Sequence, residues 1–166
     1  MFHESITILA VNPGTKYFGI AVFESEDLVY WGIKVLKGKW CPGKTKNVET
    51  TLEKLIRQYG VGMLALKKLH PSRSSRHLNY LAKSIERLAK KKRIKTWHYS
   101  LSDVKASFGV GVANKMALAE CVVARYKFLA NDLQKERKHK HPYFVRMFEA
   151  IAAGILAFNR LKNVKK

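Results

Sequence analysis

Short apolar runs separated by turn-forming residues occupy the N-terminal part of the chain. The runs at 5–11, 17–23 and 28–36 are rich in β-branched and aromatic side chains, which predicts three antiparallel strands. From 45 to 59 the apolar positions recur at helical spacing, and Gly60 follows the last of them. This pattern predicts a helix that ends at a glycine and returns the chain to the sheet.

Strands and helices then alternate. Positions 61–69 and 94–100 have the pattern of two more strands, and the segment 75–92 between them has the spacing of a helix. Strands joined through a helix pair in parallel. Further helices are expected at 102–108, 115–130 and 143–160. The order predicts an α/β fold in which a five-stranded mixed sheet, three antiparallel strands and then two parallel ones, is flanked by helices.

The chain is strongly basic. It has 32 Lys and Arg residues against 12 Asp and Glu, which gives a formal charge of +20. Repulsion on this scale opposes folding unless a polyanion neutralises it, so nucleic acid is the expected partner. Basic residues are concentrated at 89–95 and 131–141. The second of these segments is predicted to be a basic loop, and a short basic tail is expected after the last helix.

Two other classes of protein are disfavoured. A membrane-spanning helix needs roughly 18 or more apolar residues in a row, and no such stretch is present. The N-terminal segment also lacks the basic residues of a signal peptide, which predicts a cytoplasmic protein. Cys41 and Cys121 form no CxxC pair, so neither a zinc site nor a disulfide framework is indicated. With 166 residues, 47% of them apolar, a single domain over 1–166 is expected.

Three segments share a pattern with a known family. They are ILAVNPGTKYFGIAVF at 8–23, VKASFGVGVANKMALAECV at 104–122 and FVRMFEAIAAGILAF at 144–158. Together they resemble the RuvC family of Holliday-junction resolvases. The first is similar to the family's strand followed by Asp-Pro-Gly, the second to its Val-Lys and Gly-x-Gly loop, and the third to its Ala-rich terminal helix. The resemblance covers roughly 5–160 and implies the ribonuclease H-like fold.

The resemblance also implies a metal site, and there the chain departs from the family. RuvC enzymes cut DNA with four carboxylates that bind Mg²⁺. Those positions fall on Asn12, Lys67, Arg146 and Glu149. Only Glu149 is acidic, so the set carries one net positive charge in place of four negative ones. A lysine ammonium about 4 Å from a divalent ion is repelled by roughly 8 kcal/mol at an effective dielectric of about 20.

We therefore predict that this site binds no metal, needs no cofactor and has lost catalysis. Glu149 is expected to pair with Arg146 or Lys67, because residues three apart face each other on a helix and strand alternation turns Lys67 toward the site. Lys68 takes the place of Lys67 if the strand register is shifted by one.

Further side chains are expected to contact nucleic acid. Lys105 and Lys115 match lysines that the family places near its site. The segment after the fourth strand is rich in Arg, His and Ser, which suit phosphate. The candidates there are His70, Arg73, Arg76 and His77. The plainer explanation for these residues is that they are solvated charges beside a helix N-cap at Ser74 or Ser75. Trp40 is a separate candidate, which can stack on a base or simply pack at the rim of the core.

Several functions remain open at this point. The leading hypothesis is a protein that recognises branched or structured nucleic acid, such as a Holliday junction, without cutting it. The alternatives are an active crossover junction endonuclease that uses Mg²⁺ or Mn²⁺ and a basic RNA-binding protein. An active enzyme requires that the register assigned to the site is wrong or that Glu24, Asp103 or Glu120 supplies replacement ligands. An artificial substitution of aspartate at Asn12 is a further alternative, but it leaves Lys67 unexplained. The family also implies a homodimer that matches a symmetrical junction.

Overall fold

The computed structural model describes residues 5–72, 74–138 and 143–164. The strands of this part of the chain are β1 (Thr7–Asn12), β2 (Tyr17–Glu24), β3 (Asp27–Val35), β4 (Met63–Lys67) and β5 (Lys95–Tyr99). Its helices are α1 (Pro42–Tyr59), α2 (Arg76–Lys91), α3 (Leu101–Phe108), α4 (Lys115–Arg125), α5 (Ala130–Lys138) and α6 (Val145–Val164), with one 3₁₀ turn at Lys127–Leu129. None of the described helices is long and apolar enough to cross a bilayer.

The strands form one sheet in the order β3-β2-β1-β4-β5. β1 pairs antiparallel with β2, and β2 with β3. β1 and β5 both run parallel to β4. The predicted fold class, an α/β fold with a five-stranded mixed sheet, is therefore confirmed. β1 lies at the centre of the sheet, and all six of its residues are buried.

Helices cover both faces of the sheet. On one face Ala10 and Ala65 belong to the apolar cluster that contains the buried residues of α6 and α4. On the other face Leu66 belongs to the cluster that contains the buried residues of α1 and α2. Because side chains alternate along a strand, Asn12 and Lys67 lie on the same face as Ala10 and Ala65. Both side chains are thereby turned toward α6.

Two glycines allow α6 to approach β2 closely. A Cβ atom on Gly19 would lie 2.2 Å from the backbone carbonyl oxygen of Arg146, and one on Gly154 would lie 2.1 Å from Cε2 of Phe23. No side chain can be accommodated at the first contact, because the obstacle there is backbone. Gly19 is also the partner of Asn12 in the β1–β2 register. The close approach therefore fixes the position of α6 relative to the end of β1.

The predicted basic loop at 131–141 is wrong for the residues that the structure describes. α5 is helical to Lys138, whereas 139–142 lie outside the described residues. Two residues fix this helix: Leu133 is buried in the core, and the buried Glu136 carboxylate accepts hydrogen bonds from the backbone N–H groups of Tyr143 and Phe144. The overall polarity of the segment concealed both contacts.

Three helix boundaries also differ from the prediction by three residues or more. The helix expected from 45 begins at Pro42, because proline suits the first turn of a helix. The helix expected at 115–130 ends at Arg125, because Tyr126 leaves the helical conformation with φ −121° and ψ 82°. α6 continues to Val164, so most of the expected basic tail is helical.

Replacing Gly19 with alanine is expected to lower the free energy of unfolding by about 2 to 3 kcal/mol, because the added methyl overlaps the α6 backbone. Urea denaturation measures this change. Gly62→Ala is the matched control, since a Cβ there meets no atom within 4 Å. Equal stability of the two variants would show that α6 does not rest on β2 at Gly19.

Candidate functional site

The ends of β1 and β4 bring Asn12 and Lys67 together. Val11 pairs with Leu66 in the parallel register, so the next residue on each strand ends that strand beside its neighbour. Both side chains are on the α6 face, where Glu149 lies in the second turn of the helix. These three positions, taken from the resemblance, therefore converge in space.

Glu149 is the centre of a polar cluster that it forms with Asn12, Lys67 and Lys115. Its side chain is only 1% exposed, and its Oε1 lies 2.6 Å from Nζ of Lys67. Its Oε2 accepts a hydrogen bond of 3.0 Å from Nδ2 of Asn12 and lies 3.9 Å from Nζ of Lys115. The predicted pairing of Glu149 with Lys67 is confirmed. The contact with Lys67 is a charge contact, since Oε1 accepts no hydrogen bond of ordinary geometry.

Arg146 takes a different place from the one that helix spacing suggested. Its Nη1 donates a hydrogen bond of 3.4 Å to the backbone oxygen of Pro13, next to Gly14, rather than pairing with Glu149. Its own backbone oxygen accepts a 3.3 Å hydrogen bond from Nδ2 of Asn12. The amide of Asn12 thus bridges the end of β1 to α6 at two acceptors, the Glu149 carboxylate and the Arg146 carbonyl.

Tyr99 is a member of the site that sequence reasoning missed. It is fully buried and pairs with Lys67 in the β4–β5 register. Its hydroxyl donates a 3.3 Å hydrogen bond to the backbone oxygen of Val11. Burial, and then the negative charge of Glu149, raises the pKa of Tyr99 well above its ordinary value. The available signal was its place at the end of the strand beside β4.

The site does not fit the Mg²⁺ pair that the resemblance implies. Mg²⁺ takes hard oxygen ligands in octahedral geometry, and the cluster offers one carboxylate and one amide oxygen. Oδ1 of Asn12 is buried and accepts no hydrogen bond, so it is free to serve as one ligand. Both oxygens of Glu149, however, already face an ammonium or an amide N–H. A cation at this position would have to displace Lys67.

The carboxylates considered as replacement ligands do not reach the cluster. Glu24 pairs with Thr7, which is at the opposite end of β1 from Asn12. Glu120 forms an ion pair of 2.9 Å with Arg137, and Asp103 is exposed in the first turn of α3. Within the described ranges, no three His, Cys, Asp or Glu side chains are grouped closely enough to hold a metal ion.

A cleft of about 680 Å³ opens beside the cluster. Its wall combines cations, hydroxyls and apolar groups. The cationic side chains are Lys67, Lys68, Lys115 and Arg146, with His70 beside them; Ser74, Ser100 and Ser102 supply hydroxyls. Pro13, Leu69, Pro71, Leu78 and Leu101 complete the wall. The arrangement suits an anion joined to a partly apolar group.

The other predicted contact residues that the structure describes do not line this cleft. Lys105 donates a hydrogen bond of 3.5 Å to the carbonyl of Ala113 and so supports the loop before α4. Arg76 and His77 are exposed in the first turn of α2, whose N-cap is Ser75. The helix-cap explanation is therefore correct for Ser75. Arg73 lies outside the described residues.

Comparison with solved structures identifies the architecture. Over 95% of this chain and 96% of the other, the structure superposes on Thermus thermophilus RuvC in complex with a Holliday junction substrate, with a TM-score of 0.69 and 13% sequence identity. A second Thermus thermophilus RuvC structure gives a TM-score of 0.69 at 14% identity, over 95% of this chain and 97% of the other. The fold is that of RuvC.

A viral protein shares the RuvC fold with this chain. The Fowlpox virus resolvase, in a complex with substrate Holliday junction DNA, matches with a TM-score of 0.59 and 13% identity over 94% of this chain and 99% of the other. The sequence matches no protein-family model and no curated protein. At such identities the likeness gives the RuvC fold, and the chemistry of the site has to be argued from its own residues.

Lys67→Met is expected to lower the free energy of unfolding by about 3 kcal/mol, because it leaves the buried Glu149 carboxylate without its nearest cation. The estimate is at the low end for a buried pair, since the Lys67 side chain is 20% exposed. Adding Glu149→Gln should recover more than half of the loss, as measured by urea denaturation of the single and double variants. Additive effects of the two substitutions would show that the pair is not coupled.

Proposed function

We propose that this protein binds branched DNA of the four-way junction type through its phosphate backbone and does not cleave it. The observation that carries the proposal is the buried Glu149 carboxylate with Lys67 at 2.6 Å and Lys115 at 3.9 Å. A cationic cluster stands where the resemblance implies metal ions. Such a cluster attracts a phosphate and repels the divalent cation that hydrolysis would require.

Two further observations support nucleic acid as the ligand. The RuvC fold is shared with two proteins whose structures contain Holliday junction DNA. The formal charge of +20 supplies the attraction for a phosphate backbone that any such protein requires. Neither observation depends on the base sequence of the ligand, so recognition by backbone shape is the expected mode.

The cleft suggests how a phosphate is held. Lys67, Lys115 and Arg146 all line it and come from three different elements, β4, α4 and α6. Lys67 and Lys115 already share the single charge of Glu149, so the group retains a net positive charge. A backbone phosphate at this point can receive charge-assisted hydrogen bonds from more than one of these side chains.

The absence of cleavage follows from the same contacts. Two-metal hydrolysis needs ions that activate water and stabilise the leaving oxygen. With both Glu149 oxygens occupied by Lys67 and Asn12, the ions have no anionic ligand to bind. The protein then acts as a junction-binding module, and the homodimer implied by the resemblance stays a prediction.

A gel-shift competition tests the proposal. The labelled four-way junction is expected to bind about ten-fold more tightly than duplex or single strand of equal length, with a steep loss of affinity as salt rises. No nicked product is expected with Mg²⁺ or Mn²⁺, scored on denaturing gels of the same reactions. Metal-dependent nicking would refute the loss of catalysis, and equal affinity for all ligands, including duplex RNA, would refute junction recognition.

The role of the cleft is tested by one charge change. Lys115→Gln should weaken junction binding about five-fold and reduce the salt slope by about one, since one phosphate contact is lost. Lys162→Gln is the matched control, because it also removes one positive charge. Lys162 lies in the last turn of α6, away from the cleft and 3.6 Å from Glu26. If both variants bind equally well, only the overall charge matters and the cleft is not the binding site.

Restoring acids should restore a metal site. The triple variant Asn12→Asp, Lys67→Glu and Arg146→Asp places carboxylates at all four positions, so it is expected to bind Mn²⁺, whereas the unmodified protein is not. Isothermal titration calorimetry measures the difference. Lys90→Glu with Lys91→Glu lowers the net charge comparably at the end of α2 and serves as control. Tight Mn²⁺ binding by the unmodified protein would contradict the proposal.

A further inference from the structure

Trp40 lies in the loop between β3 and α1 and is anchored from below. It is half-buried and packs against the apolar cluster on the α1 and α2 face. The loop is held in place by Lys44, whose buried ammonium donates a hydrogen bond to the carbonyl of Gly38. Gly38 has a φ of +80°, a conformation that suits glycine. The indole is therefore a fixed part of the surface.

The same loop has the spacing of a phosphate-binding loop, GKWCPGKT at 38–45. Its backbone is not arranged to cradle a phosphate. Pro42 has no N–H, the N–H of Lys44 donates to Cys41 at 3.0 Å, and the Lys44 ammonium is already bonded within the loop. The strand before it, β3, is an antiparallel edge strand. The loop acts as a support for Trp40.

His77 stacks on Trp40. The two ring centroids are 5.5 Å apart, and the ring planes are inclined by 29°. The backbone at His77 is fixed by the start of α2, where Ser75 accepts a 3.1 Å hydrogen bond from the N–H of Leu78. His77 is nevertheless exposed. One face of the imidazole rests on the indole, which leaves the opposite face for a ligand.

The surroundings of this pair are basic. Lys37 and Lys39 are exposed in the Trp40 loop, and Arg76 is exposed next to His77. Neither the segment 36–47, which covers this loop and the start of α1, nor the segment 70–85 contains an acidic residue. An aromatic face surrounded by cations is the combination with which proteins hold single-stranded nucleic acid, the base on the ring and the phosphates on the cations. An acidic protein segment is a weaker candidate for the ligand, because a stacking face contributes nothing to the binding of carboxylates.

The pair adjoins the cleft of the candidate site. Ser74 and Leu78, on either side of His77 in the chain, both line that cleft. A strand whose phosphate lies at Lys67 and Lys115 thus passes close to the first turn of α2. At a branch point or a strand end, such a strand has unpaired bases next to the phosphates that lie in the cleft.

We propose that His77, backed by Trp40, is a stacking platform for an unpaired nucleobase of the bound nucleic acid. The proposal rests on the proposed function and adds a contact with a base to the contacts with phosphates. Every nucleobase has a π-face, so the platform is tolerant of base identity. It also distinguishes ligands with an unpaired base from perfect duplex, which charge alone does not.

The platform is tested with a single-stranded oligonucleotide and with a four-way junction that carries one unpaired 2-aminopurine at the crossover. Binding of the unmodified protein should quench the 2-aminopurine fluorescence, because stacking quenches it. His77→Ala should weaken binding to both ligands at least about five-fold, a loss typical of one stacked base. His77→Phe should restore the affinity and the quenching, since it keeps the ring and removes the ability to carry charge.

Two controls separate stacking from other effects. Tyr80→Ala removes another exposed aromatic from α2, 49% exposed, and should change neither affinity nor quenching. An abasic site in place of 2-aminopurine should weaken binding of the unmodified protein and abolish the difference between it and His77→Ala. Melting curves establish that each variant is folded. Trp40→Leu retains an apolar side chain under the loop but removes the indole beneath His77, so it should reduce the quenching as His77→Ala does.

The opposite results are equally clear. If His77→Phe binds as weakly as His77→Ala and the salt slope falls by about one, His77 contacts a phosphate and the platform is refuted. An abasic site without effect on affinity refutes it as well. Failure of the proposed function gives a different result, namely that the unmodified protein shows no preference for the junction over duplex. Binding to the single-stranded oligonucleotide then still tests the platform.

Discussion

The structure around the candidate site depends on the compensation of one buried carboxylate. Glu149 is almost completely removed from water, and an ionised carboxylate in that position is strongly destabilising unless a cation and hydrogen-bond donors replace the solvent. A hydrogen-bond donor comes from β1, one cation from β4 and a second cation from α4. One side chain of α6 therefore joins three other elements at the C-terminal ends of β1 and β4.

The position of α6 against the sheet and the compensation of charge in the site depend on different residues. Gly19 sets the distance between β2 and α6 by having no side chain, and the Asn12 amide holds the carbonyl of Arg146. These contacts with the α6 backbone keep the end of β1 beside α6. Lys67 supplies the positive charge that compensates the Glu149 carboxylate. Packing and charge compensation are thus the work of separate but neighbouring residues.

Periodicity was sufficient to predict the sheet and most helices, because strands alternate and helices repeat over several residues. The grouping of Asn12, Lys67 and Glu149 was implied by the resemblance to the RuvC family, and the ends of β1 and β4 bring it about. Contacts that depend on a distant partner could not. The polar segment that forms α5 is anchored by Leu133 and Glu136, and neither residue has a local pattern that indicates burial.

The remaining differences at the site have the same origin. Helix spacing permits Arg146 to reach Glu149, but the nearby turn at Pro13 and Gly14 offers a carbonyl on the side to which the guanidinium points. Lys67 is closer to the carboxylate because the β4 register places it there. Choosing between two cations of equal charge requires distances, which spacing along one element does not provide.

The distribution of charge also determines where discrimination between ligands can arise. A charge of +20 attracts every nucleic acid, and it does so from many parts of the surface, so it contributes affinity without selectivity. Selectivity needs a feature that only some ligands can occupy. In this molecule the cleft joins converging cations to apolar walls, and the exposed ring of His77 adjoins it. In the proposed mode of binding, a continuous duplex keeps its bases stacked and offers its phosphates to the cleft, whereas an interrupted strand engages both kinds of surface at once.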